Sequence, residues 1–149
     1  MIIPVYNREN LIQRSIYSVL NQTYKNIEVL LVNDASTDNT EEMINEIKDD
    51  RLKYFKNEIN LGPSKSRNIA IKLSAGELIA FQDSDDEWYK DKLEKQVKLL
   101  LSSPEDVAAV YCGMELIDHI SGKFIRERKW DVNFRENFQK GPFILSPSN

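Results

Sequence analysis

The stretch "ELIAFQDSDDEW", residues 77–88, runs four apolar residues into a turn with four acids in five positions. Its reading decides the fold. Counted from Asp83, acids fall at loop positions 1, 3, 5, 9 and 12 of a calcium-binding helix–loop–helix motif. That motif needs glycine at position 6, where this chain has Trp88, and an entering helix where "LIAF" has no helical spacing. A buried strand ending in acids fits better. Carboxylates about 5 Å apart repel by roughly 3 kcal/mol per pair at an effective dielectric near 20, so water or a cation must stand among them. The simplest account is a solvated acidic turn with one Asp capping the next helix. Asp83-Ser84-Asp85 does not settle the matter, because 11 aspartates among 149 residues give about 0.8 Asp-x-Asp matches by chance.

Working outward, apolar runs alternate with helical spacing. "IIPV" is followed by Leu11, Ile12, Ile16, Val19 and Leu20 at helical intervals. "IEVLLVN" reads as a buried strand and "DNTEEMINEI" as a helix capped by Asp38 or Asn39, with Glu41 or Glu42 three residues on. "RLKYF" is a third strand. "GPSKSRNIAIKL" is a helix with Pro63 in its first turn and Gly76 just past its end. "ELIAF" is a fourth strand, and "YKDKLEKQVKLLL" carries Leu93, Val97, Leu100 and Leu101 on one stripe. "VAAVYCGMELID" and "GKFIRER" predict a hairpin across "HISG". Beyond residue 127 the pattern weakens.

This order predicts an α/β fold with a mainly parallel, Rossmann-like sheet flanked by helices, whose ligands bind at the carboxyl ends of the strands. Asp34, Asp38, Asp83, Asp85 and Asp86 all follow strands and share that edge. Glu77 precedes a strand, and Glu105 and Asp106 precede the expected fifth, so a parallel fifth strand puts them at the opposite edge. Oxygen-only ligands suit magnesium or manganese, which leave coordination positions for substrate phosphates. No G-x-G-x-x-G or P-loop signature follows the first strand, which disfavours a dinucleotide fold or a P-loop ATPase. Asp34 also suits a base N–H, and Tyr6 offers an aromatic face for stacking.

Composition agrees with one soluble domain over residues 1–149: 41% hydrophobic, 30% charged, net charge −4. That charge argues against nucleic acid as a partner. One cysteine, Cys112, excludes an internal disulfide, and one histidine, His119, excludes a site of several His ligands; both are read as structural. No apolar run approaches the roughly 20 residues that span a bilayer, and "MIIPVYN" lacks the features of a signal peptide. The expected location is the cytoplasm, or the cytoplasmic face of a membrane.

Four blocks, "IIPVYNRENLIQRSIYSVLNQTY", "EVLLVNDASTDNT", "NEINLGPSKSRNIAI" and "GELIAFQDSDDEWYKDKLEKQ", resemble the inverting glycosyltransferases of family 2 in order and spacing, over nearly the whole chain. The resemblance implies a GT-A fold and metal-dependent transfer from a nucleotide-sugar donor, a UDP-sugar first, to a glycan or lipid-linked acceptor, with the full-length protein in peripheral contact with a membrane. It also implies that Pro4 and Tyr6 border the nucleotide, Asp34 accepts the base N–H, Arg67 lies near the base or phosphates, and Asp83 contacts the ribose. Asp85 would ligate the manganese or magnesium ion, with Asp86 behind it. The departures are Asn33 and Ala35 where the family usually has Asp and Gly, Ala70 where Gly is common, and Lys90 where Pro is frequent.

Each residue also has a plainer reading. Tyr6 can simply pack at a strand end, Asp38 reads as a helix cap, Arg67 as a solvated charge, and Trp88 with Tyr89 as packing. Inversion needs a general base, which the family carries well beyond the Asp-x-Asp segment. Residues 127–149 hold Glu127, Asp131 and Glu136 and no Glu-Asp pair. The stretch is therefore expected to begin an incomplete acceptor-side region, with the base beyond Asn149. The rival reading is a nucleotide- and metal-binding module without turnover.

Overall fold

The structure, a computed structural model, is described for residues 1–118 and 120–128. His119, Asp131 and Glu136 lie outside the described residues. The chain divides into two compact units between Ser103 and Pro104.

The first unit is a parallel sheet with helices on both faces. Strand β1 (Ile2–Val5), helix α1 (Ile12–Leu20), strand β2 (Val29–Asn33), helix α2 (Thr40–Asn45), strand β3 (Leu52–Lys56), helix α3 (Pro63–Leu73) and helix α4 (Lys92–Leu101) follow in chain order. The sheet order is β1-β2-β3, with Ile3 opposite Leu31 and Leu31 opposite Tyr54. Every residue of β1 and β2 is buried, as expected of strands covered on both sides.

Alternation along the strands sorts the core into two layers. Ile3, Val5, Val29 and Leu31 pack with Ile12, Ile16, Val19 and Leu20 of α1 and Ile44 of α2. Ile2, Leu30 and Val32 face the other way, onto Ala70 of α3 and Phe55. Full burial of such a side chain is worth about 1.5–3 kcal/mol, so Leu31→Ala alone would cost about 2–5 kcal/mol.

The expected fourth strand is reduced to one parallel rung between Ile2 and Phe81. Ile2 N–H donates to the Ala80 carbonyl at 2.9 Å, and Gln82 N–H to the Ile2 carbonyl at 3.0 Å. Leu78, Ile79 and Phe81 remain 41–48% exposed. Within residues 1–103 this segment has a strand on one side only, which is too little cover for an apolar run to form a longer ladder. The helix α4 forms with its stripe, of which Leu93 is buried, Val97 and Leu100 are partly covered and Leu101 is 73% exposed. One further expectation is corrected. The segment from Ser74 leaves α3 in extended conformation, and Gly76 is held two residues further on by the Glu28 carboxylate.

The second unit contains the predicted hairpin, β4 (Met114–Ile117) antiparallel to β5 (Phe124–Arg128). Residues 107–113 form no strand, so the parallel fifth strand is not observed. Glu105 and Asp106 thus lose the basis on which they were assigned to the far edge.

Candidate functional site at the carboxyl edge of the sheet

Asp34 follows directly on β2 and is 3% exposed. Its backbone N–H continues the ladder to the Val5 carbonyl at 2.8 Å, which turns its carboxylate toward the loop after β3. Oδ1 accepts from Asn57 Nδ2 at 2.7 Å and Leu61 N–H at 2.9 Å, and Oδ2 accepts from Gly62 N–H at 2.7 Å. Burial works to raise this carboxyl, but the hydrogen bonds from Leu61, Asn57, Gly62 and Ser66 outweigh it, and the group sits below its ordinary range. Asp34 thus fixes the loop that starts α3.

Two loops beside it interlock. Asp38 accepts from the backbone N–H of Thr40 at 3.0 Å and of Glu9 at 3.2 Å, tying the first turn of α2 to the loop after β1, while the N-cap position itself is Asn39, which makes no side-chain cap hydrogen bond. Asn7 joins the same seam through Ser36 and Thr37. Asn7 and Ala35 both have positive φ, 50° and 60°. Left-handed backbone at residue 35 accounts for the glycine usual there in the family that the sequence resembles.

The acidic turn is held from α1. Ser15 Oγ donates to the Asp83 carbonyl at 3.3 Å and Arg14 Nη2 to the Asp85 carbonyl at 3.2 Å. Gln82, 2% exposed, donates through Nε2 to the Asp86 carbonyl at 2.8 Å and to Ser15 Oγ at 2.8 Å. Three arginines meet the acids: Arg67 reaches Asp83 at 2.5 Å, Arg14 reaches Glu87 at 2.6 Å, and Arg8 reaches Asp85 at 3.4 Å. Desolvation raises the Asp86 carboxyl, with the like charges of Asp83 and Asp85 adding to it and Lys92 and Arg14 opposing. Lys92 Nζ also lies 3.1 Å from the centre of the Trp88 ring.

The sequence-predicted residues therefore occupy one edge in different ways. Tyr6, 43% exposed, stands at the end of β1, while Pro4 is buried within that strand opposite Val32. Arg67 of α3 is brought to Asp83, and Asp85 is half exposed beside Arg8. Ala35, Ser36, Lys56, Asn57 and Glu58 line an open recess of about 360 Å³ at the ends of β2 and β3, within the size range of small-molecule sites. A larger groove of about 530 Å³, lined by Met1, Leu78 and Leu101 among others, lies at the opposite edge, away from the acids.

Arg8, Arg14, Gln82 and Asn57 carry much of this geometry, and the sequence reading did not single them out. Arg8 follows β1 and could have been found by the strand-end rule. Arg14 could not, because its reach depends on how α1 is rotated on the sheet.

Among the described residues no three His, Cys, Asp or Glu side chains converge as a metal-holding group. Asp85, with a half-exposed hard-oxygen carboxylate, fits a cation that takes one or two protein oxygens and fills its other positions from phosphate and water.

A family model described as "Glycosyl transferase family 2" matches residues 1–142. The chain belongs to glycosyl transferase family 2. It is 42% identical over 135 residues to the Escherichia coli UDP-Glc:alpha-D-GlcNAc-diphosphoundecaprenol beta-1,3-glucosyltransferase WfgD, a match covering 89% of this chain and 53% of the relative. The chain thus spans about half the length of that relative. Staphylococcus aureus TarS 1–349 in complex with UDP-GlcNAc superimposes with a TM-score of 0.63 at 35% identity, covering 66% of this chain and 30% of that one. The mannosyltransferase PcManGT of Pyrobaculum calidifontis, in complex with GDP-Man and Mn2+, superimposes with a TM-score of 0.62 at 27% identity, covering 69% of this chain and 32% of that one. The architecture of this family 2 chain is GT-A.

Proposed function

We propose that this family 2 chain supplies the donor side of a glycosyltransferase. It would move a sugar from a nucleoside diphosphate, a UDP-sugar first, to a hydroxyl of a saccharide or lipid-linked acceptor, with inversion and with a divalent cation. The observation that carries this reading is the convergence of Tyr6, Asp34, Arg67, Asp83 and Asp85 on one sheet edge, with Arg67 in contact with Asp83. The names of WfgD, TarS and PcManGT support a sugar nucleotide, and the PcManGT complex supports manganese.

In this reading Tyr6 and Pro4 border the base, one remaining lone pair of Asp34 Oδ2 accepts a base N–H, Asp83 meets the ribose and Arg67 the base or phosphates. Asp85 would hold magnesium or manganese. The bound cation would supply positive charge against the leaving diphosphate. In the single displacement, a base removes the acceptor hydroxyl proton and the oxygen attacks the anomeric carbon from the far side. The bond to the diphosphate breaks as the new bond forms, its electron pair leaving with the nucleotide. None of the described edge acids is assigned as that base, since Asp34 already accepts from Asn57, Leu61 and Gly62 and in this reading takes the nucleotide base as well, and Asp83 and Asp85 face arginines.

A second reading, donor binding without turnover in this chain, is supported by its spanning about half of the E. coli relative. For location, the diphosphoundecaprenol in WfgD's name supports an acceptor at a membrane surface, which in this reading the protein meets by peripheral contact from the cytoplasm. No helix among the described residues is long and apolar enough to cross a membrane.

Calorimetry with UDP, with and without manganese, followed by product analysis with several UDP-sugars and acceptors, tests both readings. Manganese-dependent UDP binding supports the donor site. Equal affinity in chelator overturns the metal-bridged form, and transfer by the chain itself overturns the binding-only reading.

A further inference from the structure

We propose that Arg8 is an exchange partner. Its guanidinium neutralises Asp85 until a divalent cation takes that carboxylate, and it then pairs with the anionic diphosphate the cation carries. The inference rests on Asp85 as the metal-holding residue and goes beyond that reading by assigning a positioning role to Arg8.

The three arginines at the acidic turn differ in fit. Arg67–Asp83 and Arg14–Glu87 are close contacts at 2.5 and 2.6 Å, whereas Arg8–Asp85 is a single end-on contact at 3.4 Å. The Arg8 and Asp85 side chains are 41% and 46% exposed, so water can replace each partner when the contact opens. Arg8 Nη1 is meanwhile tethered to the Asn7 carbonyl at 3.1 Å, and its backbone N–H to Thr40 Oγ1 at 2.8 Å. The guanidinium therefore stays at the carboxyl edge whether or not it holds Asp85.

Its Nε–H adds a second, independent sign. That atom is buried and has no hydrogen-bond partner. A charged donor left without an acceptor marks an arginine not at its best geometry in the free chain. A phosphate can accept from two guanidinium N–H groups side by side, which the present single contact to Asp85 does not do. Charge gives the same direction. A cation on Asp85 removes the attraction that holds Arg8 there, and the diphosphate restores an anionic partner.

The test measures two affinities on the 149-residue chain and on Arg8→Ala, Arg8→Gln and Arg8→Lys: free manganese without nucleotide, by electron paramagnetic resonance, and UDP at saturating manganese, by calorimetry. Arg8→Ala and Arg8→Gln are expected to bind manganese about two- to fivefold more tightly, because an exposed competing ion pair is gone. They should bind UDP with manganese roughly tenfold more weakly, because a charge-assisted contact is gone. Arg8→Lys should restore the competition with manganese but only part of the UDP affinity, since an ammonium keeps the charge and cannot offer two N–H groups side by side. A purely structural arginine would move both affinities the same way or neither. Manganese binding unchanged or weakened in Arg8→Gln, or UDP binding unchanged, overturns the exchange. Asp85→Asn in the same assays separates the two ideas. If it leaves manganese binding intact, the reading of Asp85 falls; if it abolishes that binding while Arg8→Gln behaves like the parent chain, only the exchange falls.

Discussion

Asp34 and Gly62, 28 residues apart, are joined by a 2.7 Å hydrogen bond from the Gly62 N–H to Asp34 Oδ2, at the point where α3 begins. With the bonds from Leu61 and Asn57 to Oδ1, it makes one carboxylate the anchor of the loop at the carboxyl edge of the sheet. Asp34→Ala leaves these donors without their acceptor. A loss of about 2–4 kcal/mol is expected in urea unfolding, since partly buried orphaned donors cost about 1–3 kcal/mol each and water recovers some of that. A change under about 0.5 kcal/mol would show that the loop is held by other means.

Gly62 starts α3 with φ of 85°, and a Cβ built there would meet nothing within 4 Å. The cost of Gly62→Ala is therefore conformational, about 1–3 kcal/mol, because φ 85° with ψ 159° is a backbone region open almost only to glycine, with no clash from neighbouring groups added. Ala35 is the converse case at φ 60°. Ala35→Gly should stabilise the chain by about 0.5–1 kcal/mol, the relief of left-handed strain outweighing the entropy gained by the unfolded chain. Thermal melts of both variants check the two signs together.

Acid should weaken the fold through Asp34 and Asp38. In each, burial works to raise the carboxyl, and hydrogen bonds more than offset it, leaving both below the ordinary range. A carboxyl lowered on folding contributes stability that is full above its unfolded pKa, about 3.9, and is lost as pH falls through the folded value beneath it. Urea midpoints should drop as pH falls from about 5 to about 3. Asp34→Asn with Asp38→Asn should start lower and fall less steeply. An equal slope in parent and variant would show that other carboxyls carry the acid response.

Opposite edges of the sheet should respond differently to loss of one charge. Asp85→Asn is expected to weaken manganese-dependent UDP binding at least about tenfold, because an amide keeps the shape and loses the charge a hard cation needs. Glu77→Gln, at the amino end of the segment that pairs with Ile2, should leave UDP binding within about twofold, since an exposed charge at that distance is screened. Like behaviour of the two variants would overturn the assignment of edges.

The alternation of "IIPV", "EVLLVN" and "RLKYF" with amphipathic segments was enough to predict a parallel sheet, and strand polarity then put Asp34, Asp83 and Asp85 on one edge. These are local facts: a two-residue or 3.6-residue period is visible in any short window, and a strand's carboxyl end follows from its direction. Tertiary structure decided what each acid does there. Arg8 meets Asp85 across 77 positions, and Asp34 is taken up by backbone donors of a loop with no recognisable motif. It also cut "ELIAF" to a single rung and moved the hairpin's first strand to Met114, because apolar composition favours a strand only where neighbours cover it. Such outcomes depend on helix rotation and on which surfaces meet, and these are set by packing between segments far apart in the chain rather than by the pattern within any one of them.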